Sequence, residues 1–361
     1  MTDKIKFSID GKEYLAEPSE SIWDVAKKNN IDIPHLCYSP EPGYRADGNC
    51  RACMVEIKGE RTLAASCIRK PTEGMEVTVN STRAEKSRSM VFELLVSDQP
   101  SKEQSPDPDS KFWNWSEKMG VSTSRFPSKE KINIDRSHKA MSVNLDACIN
   151  CNLCVRACRE VQVNDVIGMA YRGSTAKVIF DLDDPMGEST CVACGECVQA
   201  CPTGALIESS LVNEQGTRVN YADRVVDSLC PFCGVGCQTK VHVKDDKILH
   251  VDGKDGPANE NRLCVKGRFG FDYISHEGRL TKPLIRKAGV PKDANFQLKD
   301  SEISDYFEET SWENALDIAA KGLAKSKEDH GPKSLAGFGS AKCSNEEAYL
   351  FQKLVRVGFG S

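Results

Sequence analysis

Sixteen of the seventeen cysteines in this chain fall into four groups of four, and each group has iron–sulfur spacing. Cysteine thiolates hold iron–sulfur clusters, four to a cluster in the common types. A row of clusters on one polypeptide is typical of proteins that move electrons singly between distant reaction centres. Only Cys343 is left over. The groups are Cys37/Cys50/Cys53/Cys67, Cys148/Cys151/Cys154/Cys158, Cys191/Cys194/Cys197/Cys201 and Cys230/Cys233/Cys237/Cys264.

The second and third groups form an internal repeat. The run C-x2-C-x2-C-x3-C begins at Cys148 and recurs at Cys191, where it ends in Cys201-Pro202. In bacterial ferredoxins with this run, the fourth cysteine ligates the other cluster. We therefore predict two [4Fe-4S] clusters with crossed ligands. One set is Cys148/Cys151/Cys154/Cys201, and the other is Cys191/Cys194/Cys197/Cys158.

The first group follows a segment that predicts a small sheet and a helix. Residues 4–9 and 12–17 alternate around Asp10-Gly11, a dipeptide favoured in tight hairpins. Ser21 can cap the helix SIWDVAKKNN, and the short strands MVEIKG and LAASCI follow. This order indicates a β-grasp ferredoxin. The cysteine spacing resembles the [2Fe-2S] domain of complex I, hydrogenase and formate dehydrogenase electron-entry subunits. A zinc site and ligation by His35 are alternatives, and we expect His35 to be a solvated neighbour.

The fourth group reads C-x2-C-x3-C-x26-C, a spacing that also fits zinc. Between its third and fourth cysteines, QTKVHVKDDKILHVDG predicts strand structure with a turn at Asp245-Asp246. The sequence CVKGRFGFDYISHEGRLTKPLIR resembles the N-terminal cap of the molybdopterin oxidoreductase superfamily. In that cap, Cys-x-Lys-Gly supplies the last ligand of a [4Fe-4S] cluster and a lysine between the cluster and a pterin. The resemblance gives Lys266 this electron-relay position.

The segment after the cap predicts a helix, a strand and a second helix. Ser311 can cap SWENALDIAAKGLAKSKEDHG, SLAGFGSAK predicts a buried strand with a glycine-rich turn, and Ser344 and Glu347 suggest a capping box. Such a turn before a helix can bind a phosphate. Beside the cap, it resembles the first pterin dinucleotide contact of the superfamily. The candidate contacts are Gly337, Gly339 and Ser340, and Cys343 is expected to be a bystander thiol near the cofactor rather than a molybdenum ligand.

Bulk composition excludes several classes of function. The net charge of −5 gives no reason to expect nucleic-acid binding, and no run of 18 apolar residues indicates a membrane span. The N-terminus has neither an apolar signal region nor twin arginines, so we expect a cytoplasmic protein. Residues 98–137 hold no cysteine and begin as a polar, proline-rich linker. KFWNWSEKMG predicts a short helix, whose Trp113 and Trp115 should pack on a neighbouring domain or, alternatively, dock a partner.

The whole chain resembles the N-terminal part of the catalytic alpha subunit of soluble NAD-dependent molybdenum or tungsten formate dehydrogenases. The stretches that carry the resemblance include DDPMGESTCVACGECVQACPTGAL, DGPANENRLCVKGRFGFDYI and GFGSAKCSNEEAYLFQKLVR. It implies an α+β multidomain iron–sulfur protein. Its expected parts are a β-grasp [2Fe-2S] ferredoxin domain at 1–80, a cysteine-free linker and helical region at 81–137, a bacterial-type 2[4Fe-4S] ferredoxin domain at 138–212, a [4Fe-4S] cap at 223–280 and the truncated start of an α/β molybdopterin-binding domain at 281–361.

In the full-length enzyme, the resemblance implies oxidation of formate to CO2 at molybdenum or tungsten held by two molybdopterin guanine dinucleotides. Electrons would pass through one [2Fe-2S] and three [4Fe-4S] clusters to a flavin- and NAD-binding beta subunit. The extra histidine–cysteine cluster of many relatives should be missing, because 97–110 lack both residue types. Family subunits are much longer, so we expect a fragment, inactive alone, rather than a split subunit. The alternative function is a non-catalytic electron-transfer subunit of a complex I-like or NAD-linked hydrogenase-like oxidoreductase.

Overall fold

The first structural unit is a five-stranded mixed sheet with a helix packed on it. The computed structural model describes residues 4–290, 292 and 303–361. The elements of this unit are β1 (Ile5–Ile9), β2 (Lys12–Ala16), α1 (Ile22–Lys28), β3 (Met54–Ile57), β4 (Ala64–Ala65) and β5 (Glu76–Thr78). The strand order is β2-β1-β5-β3-β4, in which β1 and β5 are parallel and the other neighbouring strands are antiparallel. This confirms the β-grasp prediction.

Local sequence explains why these elements begin and turn where they do. Asp10 and Gly11 both have positive φ, 50° and 80°, as the tight turn between β1 and β2 requires. Ser21 accepts a hydrogen bond from the backbone N–H of Asp24, and the Asp24 carboxylate accepts from the N–H of Ser21. The predicted hairpin and helix cap are therefore confirmed.

Two helices join this unit to the rest of the chain: α2 (Thr82–Val96) and α3 (Lys111–Lys118). Phe92 of α2 and Phe112 and Trp113 of α3 pack into one buried cluster with Leu36 and Ala52 of the first unit, which is called the [2Fe-2S] unit below after its predicted cluster. The predicted helix is confirmed, and so is the packing of Trp113 and, at the edge of the same cluster, Trp115.

The second unit is built on the cysteine repeat. Its elements are β6 (Met141–Val143), α4 (Leu153–Arg156), β7 (Ile167–Ala170), β8 (Lys177–Phe180), α5 (Glu196–Ala200) and β9 (Leu206–Glu208). β6 pairs antiparallel with β9, and β7 with β8. Each short helix contains the third cysteine of its run, Cys154 in α4 and Cys197 in α5. The sequence repeat is thus also a structural repeat.

The third unit is an antiparallel sheet of β10 (Arg224–Leu229), β11 (Gln238–Lys244) and β12 (Lys247–Gly253), followed by α6 (Val265–Phe269). Asp245 and Asp246 connect β11 to β12 with φ of 49° and 58°. Paired positive φ values are those of the tight hairpin turn. The structure confirms the predicted turn and adds β10.

The last segment contains β13 (Leu284–Arg286), α7 (Ile303–Tyr306), β14 (Phe307–Glu309), α8 (Trp312–His330) and α9 (Asn345–Lys353), and β13 pairs antiparallel with β14. Ser311 caps α8, and Ser344 and Glu347 form the capping box of α9, as predicted. The predicted strand SLAGFGSAK is wrong, because its residues are irregular and Leu335 alone is buried. No described strand lies beside it to satisfy a ladder of hydrogen bonds. Among the described residues, no helix is both long and apolar enough to cross a bilayer.

Candidate iron–sulfur and cofactor sites

The four cysteines of the first group converge beside β3. Cys37, Cys53 and Cys67 are buried and Cys50 is half-buried. The Sγ atoms of Cys53 and Cys67 are 3.4 Å apart, and the backbone N–H of Cys50 points at Cys37 Sγ over 3.5 Å. Arg51, with φ of 59°, turns the chain between ligands. The thiols are arranged to bind one compact metal centre.

The charge balance of this site fits a metal cluster. Hydrogen bonds from the thiols of Cys50 and Cys67 lower the pKa of Cys37 to about 2. The same hydrogen bonds raise the pKa of Cys50 and of Cys67 far above their ordinary value. Protons shared between these close thiols therefore limit the negative charge of a site that contains little solvent. Iron can replace them, because metal ligation removes thiol protons and supplies compensating positive charge.

In the second unit, called the ferredoxin unit below, the fourth cysteine of each run lies close to the cysteines of the other run. Burial is the largest cause that raises the pKa of Cys151, and the charge of Cys201 is the second largest. Burial raises the pKa of Cys191 and of Cys194, and in both the charge of Cys158 is the next cause that raises it. These neighbours support the crossed ligand sets predicted from the sequence, which stay a prediction about the clusters themselves.

The two cysteine loops share an unusual backbone conformation. Asn150 and Ala193 have φ of 52° and 54° at equivalent positions. Each backbone N–H donates to the first cysteine of its run, Asn150 to Cys148 Sγ and Ala193 to Cys191 Sγ, both at 3.4 Å. Left-handed backbone is costly for alanine, and such strain concentrates at functional sites. N–H groups aimed at sulfur also influence cluster potentials.

The fourth group is brought together at the base of the β10–β12 sheet. Burial raises the pKa of Cys230, and the thiols of Cys264 and Cys233 raise it further. Burial likewise raises the pKa of Cys237, followed by the charges of Cys230, Cys233 and Cys264. A side chain on Gly267 would lie 3.4 Å from Cys230 Sγ, so this glycine lets α6 approach the site. Cys264 is exposed, unlike Cys230. Four thiolates fit a [4Fe-4S] cluster, and by donor type they also fit zinc.

Arg156 joins the [2Fe-2S] site to the ferredoxin unit. Its side chain is 2% exposed. Its Nη2 donates to the carbonyl oxygen of Cys37 at 2.6 Å, and its Nη1 donates to that of Arg45 at 2.5 Å. Cys37 and Cys151 share one buried cluster with Leu153, so the two cysteine sites are in contact.

Arg268 makes the corresponding junction between the ferredoxin unit and the cap. Its side chain is fully buried, and its Nε donates to the carbonyl oxygen of Cys194 at 2.9 Å. Its Nη2 donates to Gln199 Oε1 at 2.7 Å. A Cβ on Gly195 would lie 2.0 Å from Arg268 Cδ, so only glycine admits the arginine here. Because Arg268 is four residues after Cys264, it links the third and fourth groups directly.

The candidate pterin residues Gly337, Gly339 and Ser340 lie in an exposed loop before α9. This loop is close to the fourth cysteine group, because a Cβ on Gly234 would lie 3.8 Å from the carbonyl oxygen of Cys343. A Cβ on Gly337 would lie 2.7 Å from the ring of Phe351, so packing on α9 also requires this glycine.

The start of α9 is a poor anion site by itself. Glu347 and Ser344 satisfy each other's backbone N–H groups, and Glu346 adds a second carboxylate to the first turn. Negative side chains there oppose a phosphate. The backbone amides of the loop are therefore better suited to a pterin dinucleotide than the N-terminus of α9 is. Cys343 donates its thiol to the carbonyl oxygen of Ser340 at 2.9 Å, as a bystander would.

Two other sequence candidates have clear positions. Lys266 is exposed on α6, two residues after Cys264. The expectation that His35 is solvated is wrong. Its ring contacts Trp23 edge-on, with 4.4 Å between ring centroids, and it also makes an edge-on contact with Trp115. Burial lowers the pKa of His35 to about 3. The tryptophans of the helix and linker enclose it, which sequence spacing could not indicate.

Comparison with known families finds four domain descriptions in order along the chain. They are a 2Fe-2S iron–sulfur cluster binding domain at 2–82, a 4Fe-4S dicluster domain at 147–205, a molybdopterin oxidoreductase Fe4S4 domain at 223–276 and molybdopterin oxidoreductase at 279–361. The expected α+β assembly of ferredoxin, dicluster, cap and molybdopterin parts is thereby confirmed.

The chain is similar to several proteins that are longer than it is. The chain is 30% identical to "Probable oxidoreductase YjgC" of Bacillus subtilis and 29% identical to a Staphylococcus aureus (strain USA300) protein named "Putative formate dehydrogenase". Both matches cover 100% of this chain and 39% of the relative, so the chain spans well under half of their length. A chain of the NAD+-reducing [NiFe]-hydrogenase in its H2-reduced state matches with a TM-score of 0.52 and 26% identity, covering 59% of this chain and 92% of that one.

Proposed function

Because this chain belongs to the molybdopterin oxidoreductase family, we propose that it is the electron-transferring N-terminal part of a formate dehydrogenase catalytic subunit. The substrate proposal is supported by the printed name of the Staphylococcus relative. We propose one [2Fe-2S] and three [4Fe-4S] clusters, held by the sixteen cysteines in the sets predicted above. The domain limits predicted from the sequence are part of the same proposal.

The observation that carries this proposal is the physical continuity of the four cysteine groups. Arg268 connects the cap to the Cys194 loop, and the repeat places the two ferredoxin sites side by side. Arg156 then connects α4 to Cys37. The order is the fourth group, the Cys191 set, the Cys148 set and the [2Fe-2S] group. A line of sites in this order suits one-electron transfer from a two-electron oxidation.

The residues of this chain would hold and tune the path. A molybdenum or tungsten ion on two pterin dinucleotides would supply the two-electron oxidation of formate to CO2. Gly337, Gly339 and Ser340 would contact one dinucleotide through loop amides. Lys266 would place a positive charge between pterin and cluster, which favours electron density moving toward the cluster.

We further propose a flavin- and NAD-binding partner subunit and a cytoplasmic location. The matched hydrogenase chain comes from an enzyme described as NAD+-reducing, which supports an NAD-linked acceptor. The same match supports a second candidate, a non-catalytic electron-transfer subunit of a hydrogenase-like complex. Residues 223–276 and 279–361 support the first candidate, because the two molybdopterin oxidoreductase descriptions match there.

The test uses the full-length protein that contains this chain, purified anaerobically. We expect about fourteen irons in this region, from one two-iron and three four-iron clusters. Addition of formate should reduce all four clusters, seen by EPR at low temperature. The variant Lys266→Ala should slow formate-dependent dye reduction, while Lys333→Ala, on an exposed turn after α8, should not.

Each result can contradict the proposal separately. Zinc replacing iron in the cysteine sites would overturn the cluster assignment. Clusters that dithionite reduces but formate never does, in a protein with bound pterin and metal, would overturn formate as substrate. The absence of pterin from the full-length protein would favour the electron-transfer subunit.

A further inference from the structure

A polar cavity of about 290 Å³ lies between the ferredoxin unit and the cap. Cys201, a proposed cluster ligand, and Gln199, a partner of Arg268, form part of its wall. The proposed electron path does not use the two imidazoles and the carboxyl groups that also line it. The ionisable lining residues other than the cysteine are Glu208, His242, His250, Asp252, Arg218 and Asp107.

The β11–β12 hairpin assembles three of these residues by strand register alone. His242 on β11 lies directly opposite His250 on β12. Asp252 follows His250 by two residues, and alternate residues of a strand share a face. All three side chains therefore point to the same side of the hairpin. One donor atom from each lies within 4.8 Å of the others.

The distances within this triad suit a shared cation. His242 Nε2 is 3.1 Å from Asp252 Oδ2, and His250 Nε2 is 3.7 Å from the same oxygen. Donors bound tetrahedrally at 2.0–2.1 Å from a zinc ion lie roughly 3.3 Å apart. The imidazole rings are stacked, with centroids 3.9 Å apart and planes inclined by 17°.

The polar atoms of the triad are not satisfied by the protein. The Nε2 of His242 lies 3.1 Å from a carboxylate oxygen of Asp252 and has no other polar partner among the described residues. The Nδ1 of His250, a residue 6% exposed, has no hydrogen-bond partner among them. A buried polar atom without a partner costs free energy. A cation bound to the Nε2 of His242 would give that atom a partner.

The contacts of Asp252 leave one of its carboxylate oxygens available to an ion. Arg268 pairs with Asp252 Oδ1 at 3.2 Å, and Asp252 Oδ2 faces both histidines. Glu208 lines the same cavity and brings a second carboxyl group, whose negative charge would help to compensate a divalent cation.

We propose that His242, His250 and Asp252 form a binding site for a first-row divalent cation of the zinc type. Two imidazoles and one carboxylate are a common donor set for such ions. The carboxyl of Glu208, which lines the same cavity from β9, is a candidate for a further ligand. Because Glu208 belongs to the ferredoxin unit and the triad to the cap, the ion would join the two units beside Arg268.

The test uses the full-length protein with all clusters assembled. The protein is incubated with zinc sulfate and then passed over a chelating resin. We expect zinc at about one ion per chain by elemental analysis. X-ray absorption at the zinc edge should show nitrogen and oxygen neighbours near 2.0–2.1 Å. The double variant His242→Gln/His250→Gln should lose this zinc and keep its full iron content.

His330→Gln is the matched control, since His330 is exposed at the end of α8, and it should keep the zinc. Zinc that stays in the double variant would overturn the proposal. So would sulfur neighbours near 2.3 Å in the wild type, since they place zinc on cysteines. Absence of retained zinc from the wild type would overturn it as well. None of these outcomes bears on formate-dependent cluster reduction, so the two proposals fail separately.

Discussion

Removal of Arg156 should open the junction between the [2Fe-2S] unit and the ferredoxin unit. The guanidinium donates to two carbonyl oxygens of the first unit, those of Cys37 and Arg45, from inside the interface. It also pairs with Asp47 Oδ2 at 3.1 Å. Arg156→Ala removes all three interactions and leaves both carbonyls facing an apolar gap.

The magnitude follows from these contacts. A hydrogen bond to a charged group contributes about 1.5–3 kcal/mol, and breaking a buried ion pair costs about 3–5 kcal/mol. Asp47 keeps a second partner, because Arg45 Nη1 lies 2.6 Å from its Oδ1. The carboxylate is therefore not orphaned, and the low end applies. We expect the docking free energy to fall by about 3–4 kcal/mol, which is a factor of roughly 10² to 10³ in the opening equilibrium.

Hydrogen exchange measures this opening directly. Amides of the segment 36–53 should exchange roughly 10² to 10³ times faster in Arg156→Ala, with smaller changes in the β1–β2 hairpin. Arg159→Ala is the control, three residues further along the same segment. The Arg159 side chain is 56% exposed and pairs with the exposed Asp165. A surface pair of this kind contributes about 0–1 kcal/mol.

Arg156→Lys should give an intermediate effect, because lysine keeps the charge but loses the planar fork that reaches two carbonyls. Exchange in Arg156→Ala that matches Arg159→Ala within about threefold would refute the reasoning. It would mean that apolar contact at this junction, rather than the buried arginine, holds the two units together.

Three further predictions concern other parts of the chain. Gly195→Ala should destabilise the ferredoxin unit by roughly 2–4 kcal/mol in urea unfolding, since its Cβ would collide with Arg268. Gly120→Ala has a similar positive φ but open space, so its cost should be only about 1 kcal/mol, and equal costs would contradict the steric argument. Cys158→Ser should damage the cluster of the second cysteine run by EPR, and loss of the first run's cluster alone would show that the ligands are not crossed. Burial lowers the pKa of His138, whose Nδ1 accepts two backbone N–H groups. Its stabilising effect is therefore complete above the ordinary pKa and is lost as pH falls through the lowered pKa. His138→Ala should accordingly flatten the acid-side fall of stability, measured by urea unfolding from neutral to mildly acidic pH.

Features specified by short stretches of sequence could be predicted. Asp10-Gly11 and Asp245-Asp246 determine their turns through local backbone preference, and Ser21, Ser311 and Ser344 determine where their helices begin. The cysteine runs indicated which thiols should meet, because spacers of two or three residues limit how a loop can wrap a cluster. All of these signals lie within one element or one motif.

Features that depend on distant partners could not be predicted. Arg156 and Arg268 bind carbonyl oxygens, which every residue carries, so no sequence pattern marks them. The His242–His250 pair requires the register of β11 and β12, which is known only once the turn is placed. SLAGFGSAK has the composition of a strand, but a strand also needs a neighbour. β10 was missed because all its side chains are exposed and show no alternation of burial.

The burial of Cys37 beneath Arg156 has a consequence for the order of biogenesis. Cys37 and Cys53 are each 1% exposed, and Phe112, Trp113 and Leu36 close the neighbouring side. Once α4 has docked, a scaffold protein carrying a preassembled cluster has no approach to these thiols. We therefore expect iron and sulfide to reach the first unit more readily while it is still separate from the ferredoxin unit. Docking would then follow maturation of the [2Fe-2S] unit.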